Sequence, residues 1–225
     1  MISLTNLKDI LFTACEQGDF QTIKTHIQSL SSSEIFAIRD QYKSTLVHYV
    51  CRYGHLDILK YFLDEKHVDI HQYRTEHGAT CVHDASVCNQ VHILQFLFNL
   101  NNFSTKFRWS TRDEQGNTPL HLAAKYNCIQ VLEYLLNDQL ADPCIQSFNG
   151  FQPIHYACQH GNIQSLKILL SKSAHIVNKQ TNQLLTPMHL ASKNGSLETI
   201  QILIGHGANI QLRNQNGLNA LHFGK

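Results

Sequence analysis

Apolar residues recur along the chain in pairs of short groups with helical spacing. Between residues 118 and 136 the first group lies at 120–124 and the second at 129–136. Thr118 and Pro119 precede the first group, and these residue types favour a helix N-cap and a first helical turn. Asn127 separates the groups and can take the left-handed conformation that ends a helix. The pattern predicts two helices, the second with an apolar stripe that one pair cannot bury alone.

The same pattern returns around a series of histidines. His48, His83, His121, His155, His189 and His222 are separated by 35, 38, 34, 34 and 33 residues. They stand in the segments TLVHYVCRYG, TCVHDASVCN, TPLHLAAKYN, QPIHYACQHG, TPMHLASKNG and NALHFGK. Segments with glycine after polar residues, such as DEQG, SFNG and NQNG, lie between them and favour turns. The period predicts a stack of repeated helix pairs.

These segments resemble the ankyrin repeat, whose period is about 33 residues and whose signature contains TPLH. The stretch FTACEQGDFQTIKTHIQ resembles a degenerate first repeat, with Phe12 in place of the histidine. The resemblance implies an all-α ankyrin-repeat solenoid of stacked antiparallel helix pairs with projecting β-turn finger loops. It also implies that the repeat histidines bond neighbouring backbone and tie one repeat to the next. Thr186 and Pro187 match the helix start at Thr118 and Pro119.

The repeat frame divides the chain as one ankyrin-repeat domain. We expect a degenerate first repeat and connector at 1–38, repeat 2 at 39–73, repeat 3 with an insertion at 74–111, repeat 4 at 112–145, repeat 5 at 146–179, repeat 6 at 180–212 and a truncated repeat 7 at 213–225. The last repeat has no second helix and no polar cap, so the sequence is expected to be a piece of a longer protein.

The overall charge is nearly balanced, but its distribution is uneven. Eighteen Lys and Arg against 17 Asp and Glu give a net charge of +1, which is too weak a field to attract nucleic acid or an anionic membrane. Residues 1–142 carry 12 basic and 16 acidic groups, a difference of −4, and residues 143–225 carry 6 and 1, a difference of +5. The two ends of the chain therefore differ in electrostatic potential.

The sequence predicts a cytoplasmic protein without membrane insertion. No segment has the pattern of a signal peptide or the roughly 18 apolar residues of a membrane span. Seven cysteines, an odd number without a CxxC pair, favour free thiols in a reducing compartment. Cys88 and Cys128 lie near predicted helix ends and are expected to be more exposed than the other cysteines.

Fifteen histidines raise the question of a metal site. Three groups have spacings that zinc could use: His67 with His71, Cys88 with His92, and His155 with Cys158 and His160. None is a complete ligand set, and the repeat accounts for the recurring histidines. HExxH, GxSxG, a phosphate-binding glycine loop and the kinase signatures do not occur in the sequence. We therefore expect no metal, no cofactor and no catalytic site.

Binding to a partner is the remaining function, because stacked repeats present finger loops and first-helix side chains on one extended surface. The frame places these candidates there: Tyr42, Arg52, Tyr53, Arg74, Glu76, Asp113, Glu114, Lys125, Tyr126, Phe148, Phe151, His160 and Lys193. Aromatic residues concentrate binding energy, so Tyr53, Tyr126, Phe148 and Phe151 are the preferred anchors. The alternative for each residue is packing on the next finger.

Three positions depart from the repeat pattern. Asp84 stands after the third-repeat histidine, where the other repeats carry an apolar residue, and a carboxylate there needs partners. We expect it to bond loop N–H groups, and the alternative is an incoming basic ligand. Lys43 and Leu184 replace the finger glycine, so those two turns are expected to differ in shape.

Two longer phrases, at 78–97 and 151–170, are similar to the N-terminal ankyrin array of espins, the actin-bundling proteins. The similarity implies a cytoskeleton-associated protein that docks a short motif in the tail of class III myosins. Cys81 in place of the expected proline and an insertion at 99–109 depart from that pattern.

The leading hypothesis is a monomeric adaptor or scaffold that binds a protein partner as an extended or helical peptide. Basic residues of the ligand are expected to meet the acidic early fingers. One alternative is a regulatory ankyrin segment of a larger enzyme or channel. The other is an architectural spacer without a dedicated ligand.

Overall fold

The computed structural model describes residues 4–70, 73–100 and 110–224. Within these ranges the chain is helical, with an isolated bridge between Arg39 and Thr45 and no strand. The helices are α1 (Leu4–Gln17), α2 (Phe20–Ile27), α3 (Ser32–Ala37), α4 (Leu46–Tyr53), α5 (Leu56–Asp64), α6 (Cys81–Val87), α7 (Val91–Asn99), α8 (Pro119–Lys125), α9 (Ile129–Asn137), α10 (Pro153–His160), α11 (Ile163–Lys172), α12 (Pro187–Asn194) and α13 (Leu197–Gly205). The all-α prediction is confirmed. Most of the expected insertion, at 101–109, and His71 lie outside the described residues.

The chain forms two compact units, an N-terminal unit of Met1–Glu114 and a C-terminal unit of Gln115–Lys225. In the N-terminal unit α1 pairs with α2, α4 with α5 and α6 with α7, and the first helices α1, α4 and α6 pack in chain order. In the C-terminal unit α8 pairs with α9, α10 with α11 and α12 with α13, and α8, α10 and α12 pack in chain order. Each unit is therefore a stack of helix pairs.

The apolar stripe of the second helices is buried between pairs. Val131, Leu132 and Leu135 of α9 have no exposed surface, and Ala123 and Ala124 of α8 are also fully buried. Small residues on the first helices let neighbouring helices approach, while larger residues on the second helices fill the space between them. The stripe predicted from the sequence is therefore the core of the stack.

Each first helix from α4 onward begins after a residue whose backbone N–H donates to the repeat histidine. The N–H of Thr118 donates to Nδ1 of His121 at 3.1 Å, and the N–H of Gln152 donates to Nδ1 of His155 at 3.0 Å. The hydroxyl of Thr118, which was expected to cap the backbone, lies 2.9 Å from the same ring nitrogen. Because an accepting Nδ1 carries no proton, Nε2 holds the ring proton. The imidazole thus satisfies one of the N–H groups that every helix start leaves unpaired.

The proton on Nε2 is donated to a main-chain carbonyl, which lies in the following repeat for His48, His121 and His189 and at Lys179, where the following repeat begins, for His155. The acceptors are the carbonyl of Phe151 for His121, of Lys179 for His155 and of Leu218 for His189, each at 3.0 Å. In the N-terminal unit Nε2 of His48 donates to the carbonyl of Ala79 at 3.3 Å. These four rings have no exposed surface. One side chain therefore joins two consecutive helix pairs.

The turns at helix ends and finger tips use left-handed residues. Asn127 has φ of 57°, which confirms its predicted role at the end of α8. The prediction that the turns at Lys43 and Leu184 would differ in shape is wrong, because these residues have φ of 60° and 57°, close to the 75° of Gly150. The N–H of Leu184 also closes the turn on the carbonyl of Thr181, at 2.8 Å. Hydrogen bonding and stacking of the fingers impose the glycine conformation on side chains that disfavour it.

None of the helices in the described ranges combines the length and the hydrophobicity that crossing a membrane requires.

Candidate functional site

Backbone hydrogen bonds connect consecutive fingers within each unit. In the C-terminal unit the N–H of Phe148 donates to the carbonyl of Gln115 at 3.0 Å, and the N–H of Asn182 donates to that of Asn149 at 3.1 Å. In the N-terminal unit the N–H of Glu76 donates to the carbonyl of Tyr42 at 2.8 Å. Because backbone groups hold the fingers together, their side chains are left to form a surface.

Gly150 shows how closely these fingers approach. A Cβ added there would lie 2.6 Å from the backbone nitrogen of Asn182, in addition to the strain of its positive φ. The finger tip therefore needs the conformation of glycine and, at this position, also its small size.

Two of the predicted aromatic anchors in the N-terminal unit are exposed. Tyr42 at the finger tip is 56% exposed and Tyr53 at the end of α4 is 42% exposed. The hydroxyl of Tyr53 donates to the carboxylate of Glu16 at 3.1 Å, which fixes the direction of the ring. Both side chains are placed where a partner could bury them.

Arg52 of α4, predicted as a binding residue, is held by Asp84 of α6. Its Nη2 and Nε lie 2.8 and 3.2 Å from the same carboxylate oxygen, Oδ1. The guanidinium also lies over the ring of Tyr49, 5.1 Å from the centroid. Burial is the largest influence on the pKa of Arg52 and lowers it, but the charge and hydrogen bond of Asp84, with smaller contributions from Tyr49 and Cys88, together raise the pKa above its ordinary value. Asp84 is 7% exposed, so this cation serves the repeat interface.

The structural interpretation of Asp84 is therefore correct, but its partner is not the one expected. We expected loop N–H groups, and the structure gives a side chain from the preceding repeat. The second carboxylate oxygen, Oδ2, is buried without a hydrogen-bond partner. The signal that could have found the pair is the repeat frame itself, since the fourth residue after one histidine faces the first residue after the next.

The remaining candidates of the N-terminal unit lie on its fingers. Arg74 donates through Nη1 to the carbonyls of Gly78 at 2.7 Å and Arg112 at 3.0 Å. The N–H of Glu114 donates to the carbonyl of His77 at 3.0 Å. Arg74, Glu76 and Glu114 have exposed side chains, and Asp113 is half-buried. This surface therefore carries both signs of charge.

The candidates of the C-terminal unit include three basic side chains at the ends of consecutive first helices. Lys125 ends α8, His160 ends α10 and Lys193 lies in the last turn of α12. Lys193 and His160 are exposed, and Lys125 is half-buried. We call Lys125, His160 and Lys193 the basic face. Burial lowers the pKa of His160, and the charge of Lys125 lowers it further.

Aromatic residues accompany the basic face. Tyr126 is 52% exposed and Phe148 at the finger tip is 63% exposed. The ammonium of Lys125 lies 5.3 Å from the ring centroid of Tyr126 and 5.9 Å from that of Tyr156. The unit thus presents apolar rings next to positive charge.

Phe151 occupies a different position from the other predicted anchors. Its ring lies 5.1 Å from the ring of Tyr156 and 5.7 Å from that of His155, and its side chain is half-buried. Its carbonyl is the acceptor for His121. The Phe151 ring therefore packs against side chains of its own repeat, while its main-chain carbonyl bonds the preceding repeat.

The cysteines all carry free thiols. Cys88 is half-buried, as its place near a helix end suggested, but the same expectation for Cys128 is wrong, because its side chain is 5% exposed. Cys144 is the other half-buried cysteine, and its sulfur lies 3.2 Å from Nε2 of His175. Ser173 lies 2.9 Å from Nδ1 of the same ring. Burial raises the pKa of the Cys144 thiol.

The Cys144 contact was not found in the sequence, because its members are 31 positions apart and neither lies in the repeated motif. In the described ranges, no three His, Cys, Asp or Glu side chains are grouped so that they could hold a metal ion. Burial lowers the pKa of the His155 imidazole to about 4, so this ring is neutral at physiological pH. The arrangement therefore offers contact surface, hydrogen bonding and charge.

Sequence and structure comparisons identify the repeats. A family model described as ankyrin repeats matches three times, at residues 11–107, 101–182 and 173–224. The ankyrin repeat domain of human ASB11 superposes with a TM-score of 0.75 at 24% identity, over 96% of this chain and 91% of that one. The ankyrin repeat domain of Bcl-3 gives 0.70 at 21% identity, over 96% and 93%. These likenesses agree in fold.

Two curated relatives match about half of the chain. Palmitoyltransferase AKR1 of Lachancea kluyveri is 29% identical over 105 residues, which are 46% of this chain and 14% of that protein. Diacylglycerol kinase zeta of Rattus norvegicus is 30% identical over 101 residues, which are 45% of this chain and 10% of that protein. The chain thus spans only a small part of the length of these relatives. The repeats themselves, matched from residue 11 to residue 224, show that the chain belongs to the ankyrin-repeat family.

Proposed function

We propose that the chain is a protein-binding module that recognises a peptide segment of a partner through its finger tips and first-helix ends. Repeats of this family generally mediate interactions between proteins, and stacked repeats offer an extended surface for that purpose. The module acts by binding a partner through side-chain contacts and electrostatic attraction.

The observation that carries the proposal is the exposure of aromatic side chains at repeated positions. Tyr53 and Tyr126 occupy the same place at the ends of their first helices and are 42% and 52% exposed. Tyr42 and Phe148 are exposed at finger tips, at 56% and 63%. Large rings at the surface give up little conformational freedom when a partner covers them, and they dominate binding energy in many interfaces.

The experiment is a phage-display selection of 15-residue peptides on the full chain, followed by affinity measurements on the selected peptides. The Tyr53→Ala and Tyr126→Ala double variant is expected to weaken binding at least tenfold, as loss of a central aromatic contact does. Leu197→Ala is the matched control, because Leu197 is 67% exposed but lies on a second helix. Unchanged binding by the double variant, with its helical circular dichroism intact, would exclude the proposed surface.

A second candidate is a regulatory segment of a larger enzyme or channel. Its support is that the two curated relatives are an acyltransferase and a lipid kinase by name, and that the chain matches only 14% and 10% of their lengths. The test is the coding sequence on either side of the chain in its gene. An adjoining catalytic or channel domain whose activity changes when Tyr126 is replaced would support this candidate over a free-standing adaptor.

A narrower candidate is an espin-like cytoskeletal adaptor that docks a class III myosin tail motif. It rests on the phrases at 78–97 and 151–170, and residues 78–97 lie on α6 and α7. Direct titration of a myosin tail peptide, with the Tyr126→Ala variant as control, tests it. Absence of saturable binding would remove this candidate and leave the general module intact.

A further inference from the structure

The three first helices of the C-terminal unit and the fingers at 147–152, 181–186 and 213–219 contain no acidic residue, whereas the finger that precedes α8, DEQG at 113–116, carries Asp113 and Glu114. Helices α8, α10 and α12 read PLHLAAK, PIHYACQH and PMHLASKN, and the finger segments at 147–152, 181–186 and 213–219 read SFNGFQ, TNQLLT and RNQNGLN. The four acidic residues of this unit are Glu133, Asp138, Asp142 and Glu198. All four lie on second helices or on the loops that follow them. The helices that carry the basic face therefore contain no carboxylate of their own.

The geometry supports the same conclusion. The ion pair found within the described part of this unit joins Lys167 of α11 to Glu198 of α13 at 3.5 Å, away from the basic face. The ammonium of Lys125 approaches two tyrosine rings, and the ion pairs found among the described residues do not include it. The quadrupole of an aromatic ring attracts a lysine ammonium but does not neutralise its charge. The ammonium can therefore still pair with an anion.

The helix ends that carry the basic face are held in register. Asn162 donates through Nδ2 to the carbonyls of Ala124 at 2.9 Å and Lys125 at 2.8 Å. Asn194 donates through Nδ2 to the carbonyl of Gln159 at 3.1 Å. These bonds join α8 to the loop that follows α10, and α10 to α12. The three basic side chains therefore stand on a fixed scaffold, one for each repeat.

We propose that the basic face binds an extended acidic segment of a partner protein, whose Glu or Asp side chains pair with the ammonium groups of Lys125 and Lys193 and accept a hydrogen bond from the neutral imidazole of His160. Packed helices lie about 8–10 Å apart, and an extended chain advances about 3.3 Å per residue. One repeat thus corresponds to about three residues of the ligand, so its acidic side chains are expected at every third position. Apolar ligand residues between them would contact Tyr126 and Phe148.

This inference rests on the proposed function and adds the chemistry of the ligand. The charges of the early fingers predict basic ligand residues there, and the C-terminal unit reverses that sign for its own part of the ligand. Nucleic acid is disfavoured as the occupant, because three basic groups over three repeats release few counterions compared with the 6–10 phosphate contacts of typical binders.

The test uses fluorescein-labelled peptides and fluorescence polarisation with the full chain. The probe is a triple repeat of Glu-Val-Thr with blocked termini, whose β-branched residues favour an extended chain. The Lys125→Gln and Lys193→Gln double variant is expected to bind it about tenfold more weakly than the parent chain, with the loss shrinking as salt rises. The matched control is the Lys167→Gln and Lys172→Gln double variant, which removes the same charge from α11.

The assignment would be overturned by an equal loss of affinity in the two double variants, or by equal binding of a Lys-Val-Thr repeat. It would also be overturned if the probe with phosphoserine in place of Glu, or single-stranded nucleic acid, bound more tightly than the acidic probe. Failure of the acidic probe alone, with selected peptides still dependent on Tyr126, would refute the acidic ligand and spare the binding module. Failure of both would refute the module as well.

Discussion

The two units place a cation at the same point of the repeat and use it differently. In the N-terminal unit Arg52 of one first helix meets Asp84 of the next, at 2.8 Å. In the C-terminal unit Lys125 stands at the position of Arg52 and meets the ring of Tyr156, which stands at the position of Asp84, at 5.9 Å. A carboxylate neutralises the first cation within the fold, while the second remains available to a ligand. The residue that directly follows the buried histidine, Asp84 in one unit and Tyr156 in the other, therefore determines whether the cation of the preceding repeat is neutralised within the fold.

The largest expected effect comes from breaking the ion pair. Arg52→Leu leaves a buried carboxylate without a partner and is expected to cost about 3 kcal/mol of the free energy of unfolding. Lys125→Leu removes only a contact with exposed rings and is expected to cost less than about 1 kcal/mol. Urea unfolding of the two variants measures the difference.

A double-mutant cycle completes this comparison. Arg52→Leu combined with Asp84→Leu removes both charges, so its stability is expected to return close to that of the parent chain. An Arg52→Leu variant as stable as Lys125→Leu would show that the pair contributes nothing to the N-terminal unit.

The second-largest difference between the units is expected in the loss of stability at acidic pH. Burial lowers the pKa of His155 to about 4, below its unfolded value of about 6.5, so protons bind the unfolded state more strongly between these values. The stability contributed by neutral His155 is therefore complete above about pH 6.5, falls as pH decreases, and is fully lost at about pH 4. Between pH 7 and 5 the loss is about 2 kcal/mol.

In the N-terminal unit burial also lowers the pKa of His48, but the Asp84 charge opposes that shift. Hydrogen exchange followed by mass spectrometry at pH 7 and 5 should therefore show a greater loss of protection factor in α10 than in α4. His155→Gln, which keeps an acceptor for the helix start, is the control and should remove most of the pH dependence of α10. Equal losses in α4 and α10 would contradict the comparison.

A smaller effect is expected at the finger tips. Leu184→Gly and Lys43→Gly relieve a left-handed side chain in the C-terminal and N-terminal units, and each should stabilise its unit by roughly 0.5–1 kcal/mol. Gly150→Ala is the opposite change and should cost at least about 1 kcal/mol, because its Cβ would meet the backbone of Asn182. Thermal unfolding measures all three. If Leu184→Gly and Lys43→Gly both destabilise the protein, the contacts of the two side chains contribute more stability than their left-handed conformation costs.

The smallest expected difference concerns thiol reactivity. Cys88 and Cys144, one in each unit, should react with N-ethylmaleimide before the five buried cysteines. Burial raises the pKa of both thiols, but Nε2 of His175 lies 3.2 Å from the Cys144 sulfur and can accept its proton. Cys144 should therefore react faster than Cys88, and His175→Ala should remove that advantage. Peptide mass spectrometry over a labelling time course measures both rates, and faster labelling of Cys158 would contradict the burial pattern.

Most of the fold could be predicted from the sequence, because each repeat places the same residue types at the same positions. Helix starts, the left-handed Asn127 and the buried stripe of α9 all follow from residue type and spacing. The turns at Lys43 and Leu184 could not be predicted from residue type, since the stacking of neighbouring fingers overrides local preference. The exposure of Tyr53 and Tyr126 at helix ends agrees with the prediction, whereas Cys128 is buried and Phe151 is half-buried against Tyr156.

The candidate site depended more on contacts between repeats. Arg52 and Asp84 are 32 positions apart, and only the offset between consecutive repeats brings them together. Tyr53 and Tyr126 were found because they occupy one place in the frame. The uneven charge of the chain was visible in the sequence, but only the structure shows that the ion pairs among the described residues do not include Lys125.

The hydrogen bond from Nε2 of the repeat histidine does not depend on the side chain of the residue that accepts it. Ala79, Phe151, Lys179 and Leu218 have unrelated side chains, yet each receives the Nε2 proton through its main-chain oxygen. Every amino acid supplies that oxygen, so mutations at the receiving position leave the link chemically unchanged. The surface residues of one repeat can therefore change during evolution while its hydrogen bond to the preceding repeat is kept.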